Sequence, residues 1–326
     1  MRFLLRRLGF YAVAAWASLT LAFVLPRLMP GDPATALFAR FRGRMRPQAL
    51  EELRSTFALD AGPIWHQYLG YLGHVLRGQL GVSISHFPAN VSSVIGGALG
   101  WTLLLGGVSV TIAFVLGTAL GVLAAWKRGG RLDAVLPSVL TLLGALPYFW
   151  VAMLALFVFG ATLGFFPMRH AYDDGLTPTW SLEFIRSVVA HAVLPGATIV
   201  VASLGGWTLA MRNTMISVLA EDHILLARAK GLAPGRIALA YAARNALVPN
   251  VASFGMALGF VVSGSLLTEI VFSYPGQGYL LVRAVESLDY PLIQGLYLTI
   301  TAAVLGANLL VDVLAVWIDP RLRRRG

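Results

Sequence analysis

Residues 227–249 read ARAKGLAPGRIALAYAARNALVP. Counting back to Arg212, the segment carries Arg228, Lys230, Arg236 and Arg244, and it is punctuated by Gly231, Pro234 and Pro249. The runs on either side, 187–211 and 245–268, contain no Asp, Glu, Lys or Arg. What kind of chain interrupts itself this way is settled by composition. Of its 326 residues 57% are hydrophobic and only 12% are charged, and the mean hydropathy is +0.74. A soluble domain carries about a quarter charged residues.

Roughly 20 apolar residues cross the ~30 Å hydrocarbon core of a bilayer, so uncharged runs count as candidate spans. Six qualify: 8–26, 98–126, 134–168, 187–211, 245–268 and 290–311. Buried helices of a soluble protein do not supply six such runs, and a transmembrane β-barrel would alternate polar and apolar residues over ~10-residue segments. The expected fold class is all-α, a polytopic membrane protein with six transmembrane helices. Arg2, Arg6 and Arg7 before the first run resemble a signal peptide, but PRLMPGDP follows in place of a small-residue cleavage site, so the helix is expected to be retained. Cysteine is absent, which excludes disulfides and thiolate chemistry.

Lys and Arg set the orientation. Six spans put both termini on one side. If that side is the cytoplasm, it holds Arg2, Arg6, Arg7, Lys127, Arg128, Arg131, Arg212, Arg228, Lys230, Arg236, Arg244, Arg321, Arg323, Arg324 and Arg325, fifteen of the 25 cations. Seven of the ten on the other side lie between Arg27 and Arg77, in a segment long enough to escape the rule. Both termini are expected in the cytoplasm, with the chain in the cytoplasmic membrane. The net charge of +10 is then mostly topology, with some attraction to anionic membrane lipid, and needs no nucleic acid.

The chain divides into an N-terminal helix and extracytoplasmic segment (1–95), five further spans (96–318, with the basic loop at about 213–248) and a basic cytoplasmic tail (319–326). The outer segment 30–95 holds the turn PGDP, a helical PQALEELRSTF and the turn LDAGP. A second helical stretch, IWHQYLGYLGHVLRG, sets Trp65, Tyr68, Leu69 and Leu72 on one face. Glycines recur four apart at Gly117/Gly121, Gly160/Gly164 and Gly255/Gly259, a spacing that lets helices approach closely in lipid and points first to packing within the chain. Pro147 is expected to kink the third span. No inverted half-chain repeat is legible, unlike one common class of secondary transporter.

Within the basic interruption, Glu221 and Asp222 place negative charge at a helix start. Gly231 suits a C-terminal cap, Pro234 a first helical turn, and Pro249 the beginning of the next span. Ile224 and Ala227 are apolar, Arg228 and Lys230 cationic, Ala229 and Gly231 small. Two physical readings stand open: a basic amphipathic helix lying on lipid, or a helix that packs a small, glycine-bearing end into another protein.

The stretch DHILLARAKGLAPGRIALAYAARNALVP resembles the cytoplasmic loop of type I ABC importer permeases, in the variant of the dipeptide, oligopeptide and nickel branch. Leu225 and Leu226 stand where the broader signature begins Glu-Ala, while Ala227 and Gly231 keep its second alanine and glycine. MPGDP at 29–33, YLGHVLRGQLGVS at 71–83, LTEIVFSYPGQG at 267–278 and VDVLAVWIDPRLR at 311–323 resemble other parts of the same branch, in order, over nearly the whole chain. The resemblance implies a type I permease fold and a coupling helix that sits in a cleft of an ATP-binding subunit. It assigns coupling to Asp222, Ala227, Arg228, Ala229, Lys230, Gly231, Leu232, Arg244 and Asn245. It also implies the partners: a second homologous permease, two ATP-binding subunits that bind ATP and Mg, and an extracytoplasmic substrate-binding protein. The implied substrate is a di- or oligopeptide, with nickel or another small solute as the alternative, and a stand-alone secondary transporter as the rival from another class.

The residues present argue against chemistry in this chain. GLAPGR at 231–236 lacks the GK[ST] ending of a phosphate-binding loop, so no ATPase site and no cofactor are expected here. His66, His74, His86, His170, His191 and His223 are scattered without HExxH spacing, so no metal site is expected, and no GxSxG is present. Two acids beside spans stand out, since charge in a membrane is costly. Glu269 is a candidate lining residue of the translocation path or outer gate. Asp312 is expected to pair with a basic residue such as Arg131 or Arg212.

Overall fold

The computed structural model describes residues 2–29, 63–262 and 266–318, with the side chains of 2–6, 8 and 310–318 outside that description. PGDP at 30–33, the helix PQALEELRSTF and all but Pro63 of the turn LDAGP also lie outside it. The described residues form helices, with one isolated pair of bridged residues, Val82 and Asn90. Among the described residues four helices are long and apolar enough to cross a membrane: α1 (Arg2–Leu28), the continuous helix Val91–Trp126, α7 (Leu182–Leu219) and α13 (Tyr290–Ile318). Val91–Trp126 comprises α3 (Val91–Thr102), a π-helical turn at Leu103–Gly107 and α4 (Val108–Trp126).

The third expected span is broken rather than kinked. α5 (Arg131–Ala145) meets α6 (Tyr148–Ala155) and its π-helical continuation Leu156–Thr162 at 88°. Proline has no N–H and pushes the preceding residue out of the helical region. Accordingly Leu146 is extended (ψ 134°) and Pro147 serves as the N-cap of α6. Counted as one span, the bent pair makes five. The expected fifth run, 245–268, overlaps α10 (Arg244–Val261) and α11 (Leu266–Val271), neither of which reaches that length and hydropathy alone. The described residues therefore hold four or five of the six expected spans, and Pro249, expected to mark the start of one, lies inside α10.

The chain forms two compact units, one of residues Met1–Trp101 with Pro275–Gly326, the other of Thr102–Tyr274. In the second, α4 and α7 make the most extensive helix pairing. Its cause is glycine: a Cβ on Gly117 would meet Trp207 Cβ at 2.5 Å, and one on Gly121 would meet the Thr208 carbonyl oxygen at 2.6 Å. Gly117 and Gly121 thus pack within the chain, as their spacing suggested, whereas nothing lies within 4 Å of a Cβ placed on Gly164. Phe114 stacks on Phe254 at 4.4 Å and meets Trp207 edge-on at 5.2 Å, drawing α10 into the same contact. Where the pair leaves the apolar region, Arg212 Nε donates to Asp133 Oδ1 at 2.6 Å, and the Gly129 amide donates to Asp133 Oδ2 at 3.0 Å.

In the first unit α1 packs on α13, and α12 (Gln277–Glu286) joins a core of Val91, Ile95, Ala284, Leu292, Ile293 and Leu296. α2 (Ile64–Leu76) forms where its pattern placed it, but only part of the face that groups Trp65, Tyr68, Leu69 and Leu72 packs. Tyr68 and Tyr71 meet Phe23, and the Tyr68 hydroxyl lies 2.7 Å from Thr20 Oγ1, while Trp65 and Leu69 are exposed. An aromatic pair three apart fits the groove beside Phe23 and satisfies a hydroxyl, which outweighs greasiness alone. The buried Asp289 caps α13, accepting from the Leu292 amide at 3.1 Å, and its other oxygen takes the Ser85 amide (2.8 Å), the Ser85 hydroxyl (2.7 Å) and the Ser83 hydroxyl.

Gly121→Leu should drive α4 off α7. We expect a loss of ~1–3 kcal/mol from overpacking, seen as a lower melting temperature in detergent, whereas Gly129→Ala, outside the helix pair, should leave that contact intact.

Candidate coupling site

α8 (Asp222–Ala229) carries the motif. Its N-cap is Glu221, whose backbone carbonyl accepts from the Ile224 amide at 3.0 Å. The Glu221 carboxylate lies 3.2 Å from His223 Nδ1, and Asn245 Nδ2 approaches His223 Nε2 at 3.2 Å. An amide donor on Nε2 leaves the ring proton on Nδ1, facing the carboxylate. His223 thereby ties the beginning of α8 to the first turn of α10.

The end of α8 is a Schellman cap. Gly231 N–H donates to the Arg228 carbonyl (2.9 Å) and Leu232 N–H to the Ala227 carbonyl (3.3 Å), with Gly231 at φ +70°. That pair of bonds satisfies two of the helix's last carbonyls and requires a left-handed residue. No atom lies within 4 Å of where a Gly231 Cβ would stand. Within this chain, then, glycine is needed for its backbone and not for space. Leu232 packs under the turn as the accompanying apolar contact.

α8 is seated by Ile224 and Ala227, which are buried against Met211, Met215 and Val218 of α7 and against Ile237, Ala238, Ala242 and Ala246. The last four follow the one-turn α9 (Pro234–Arg236) through a π-helical turn, Ile237–Ala243, into α10. Ala227 is therefore a seating residue on the inner face, not a member of the exposed one. Asp222, Arg228, Ala229, Lys230 and Gly231 share the exposed surface, Leu232 is half-buried, and Arg244 and Asn245 are exposed where α10 begins.

Sequence reasoning missed the two residues that give this surface its apolar character. Leu225 and Leu226 are 67% and 56% exposed. They read as departures from a motif, although apolar residues adjacent to the seated positions of a short helix must point away from the core. The surface offers apolar area bordered by two cations, suited to a partner's concave, acidic site. Among the described residues no group of three or more His, Asp or Glu is placed to hold a metal.

The two acids fall elsewhere. Glu269 does not line a mouth: it is 1% exposed, and its Oε1 accepts from the Thr102 hydroxyl at 3.0 Å. A carboxylate out of water needs such donors. The Asp312 side chain lies outside the described residues; of the two arginines named for it, Arg131 and Arg212, Arg212 is bonded to Asp133.

Comparison with known proteins meets this geometry at the same place. Residues 117–324, which include α8 and its whole seat, match the family of binding-protein-dependent transport system inner membrane components. The chain belongs to that family. It is 36% identical over 324 residues to a protein of Brucella suis biovar 1 (strain 1330) provisionally named a peptide permease, covering 99% of both chains. It is 33% identical over 343 residues to the dipeptide transport system permease protein of Escherichia coli (strain K12), covering 100% of this chain and 99% of the relative. With the oligopeptide transport system permease protein of Bacillus subtilis (strain 168) the identity is 32% over 306 residues, 93% of each.

The permease's Gly231 makes a testable distinction. Gly231→Ala should cost ~1–2 kcal/mol for a left-handed residue with a Cβ, while Gly231→Asn, which tolerates that conformation, should cost clearly less. Amide hydrogen exchange across 222–230 in the purified protein should quicken for Ala and stay near wild type for Asn.

Proposed function

We propose that this chain is the membrane-spanning subunit of an ATP-driven peptide importer and that α8 is its coupling helix. One observation carries the reading: a short helix closed at its C-terminal end by the Gly231 cap and fixed on the extension of α7 presents Leu225, Leu226, Arg228 and Lys230 outward. A helix that only rested on lipid would need an amphipathic face, not an internal seat and a tight cap. The similarity over full length to dipeptide and oligopeptide permeases supports peptides as the substrate.

In this reading both termini and α8 face the cytoplasm, where fifteen of the 25 cations then lie. Two separate subunits bind ATP and Mg, and a second permease completes the path. A binding protein delivers peptide from outside. Closure of the ATP-binding pair pushes α8, and α7 receives the displacement through Met211, Met215 and Val218.

Purification of the chain from its native membrane in mild detergent should recover a second permease and two ATP-binding chains. Leu226→Asp should weaken that recovery, since a buried interface anchor is worth ~2 kcal/mol or more, about thirty-fold in affinity. Recovery of a lone chain, or of partners indifferent to Leu226→Asp and Gly231→Asp, would falsify the coupling role. Uptake of radiolabelled alanyl-alanine, set against nickel, tests the substrate.

A further inference from the structure

The first unit contains a cavity of about 970 Å³, walled by α3, α12 and the loop before α3. Its size is that of a small-molecule site. Trp101 and Tyr279 supply aromatic wall, and Gly97 leaves part of it open, with no atom within 4 Å of where its Cβ would stand. Arg283 and Glu286 place a cation and an anion in the same lining, 3.0 Å apart and one turn apart on α12. His86 adds a polar group, its Nδ1 2.9 Å from the Ser85 hydroxyl.

The frame around these groups is fixed. Ala284, between the two charges, is fully buried against the core of Val91 and Ile95, and the 83–85 loop is held by Asp289. The Arg283–Glu286 pair itself is not fixed. Both side chains are more than half exposed, at 62% and 58%, and so solvated a pair contributes little on its own. It can therefore be exchanged for a ligand's charges at small cost. A carboxylate fits the guanidinium bidentately, and an ammonium fits the glutamate.

We propose that this cavity is the permease's own receiving site for a short peptide with free termini, its carboxylate on Arg283, its ammonium on Glu286 and a side chain against Trp101 and Tyr279. The proposal rests on the peptide-importer reading and adds the class of peptide and the residues that select it. Charge complementarity commits the site to a zwitterion. A metal ion finds one imidazole here and no cluster of ligands among the described residues.

The test uses the complete importer, purified with its partners, and alanyl-benzoylphenylalanine as a photo-crosslinking probe in the absence of the binding protein. Label should appear within 84–101 or 275–287, and alanyl-alanine should compete better than alanyl-alaninamide. Arg283→Gln should remove that preference, about tenfold for a lost charged contact, and Glu286→Gln should remove the preference for a free over an acetylated amino terminus. Gly97→Leu, a good helix former that fills the open wall, should abolish labelling. Peptide transport in proteoliposomes without label in the cavity overturns the site and leaves the importer reading standing. Absence of peptide transport from an intact, ATP-hydrolysing assembly overturns both. Gly97→Leu that releases the binding protein but leaves peptide labelling unchanged overturns the site in favour of a docking surface for that protein.

Discussion

The close approach of α4 to α7 carries the second unit. Lipid tails are as apolar as leucine, so two helices in a membrane gain little by hiding apolar surface from lipid and must gain from contact. Gly117 and Gly121 allow backbone-to-backbone contact with residues 204–212, and no larger residue would. The consequence reaches beyond the membrane. α7 is 38 residues long, more than a bilayer requires. Its far end supplies Met211, Met215 and Val218 to the core under α8. The helix held by the glycines is also the helix on which α8 sits.

Polar groups obey the complementary rule. Among the described residues, three acids beside or within spans each have donors or a counter-ion: Asp133 has Arg212 and the Gly129 amide, Glu269 has Thr102, and Asp289 has two serines and a helix end. These are packing determinants, since a buried carboxylate without donors would destabilise the fold. The exposed pair Arg283–Glu286 is of a different kind, because water already satisfies it. The contrast separates buried charges that hold the structure from an ion pair that water solvates.

Much of the site was legible in the sequence because it depends on backbone chemistry. Gly231 as a cap follows from the conformations only glycine reaches easily, and Glu221–Asp222 as a helix start follows from the dipole. Which side of α8 faces inward was not legible. An eight-residue helix with Ile224, Leu225, Leu226 and Ala227 in a row has no unambiguous apolar face, and only the position of α7 and of 237–246 selects Ile224 and Ala227. The same ambiguity grouped Trp65 and Leu69 with Tyr68 on one face of α2, whereas Tyr68 and Tyr71 pack and Trp65 and Leu69 are exposed.

The sequence by itself determined that this is a multi-span helical membrane protein, where most of its long apolar runs lie, that Pro147 disturbs one of them, and that a basic helix ending at Gly231 lies between two of the runs. Those properties depend on residue type, run length and local backbone preference. Only the tertiary structure decided that the break at Pro147 is a right-angle turn, that Arg212 belongs to Asp133, that Glu269 is buried, and that Leu225 and Leu226 face outward. Each of these depends on which distant segment arrives alongside. Side-chain partners across helices are set by packing in three dimensions, and the spacing of residues along one chain does not encode them.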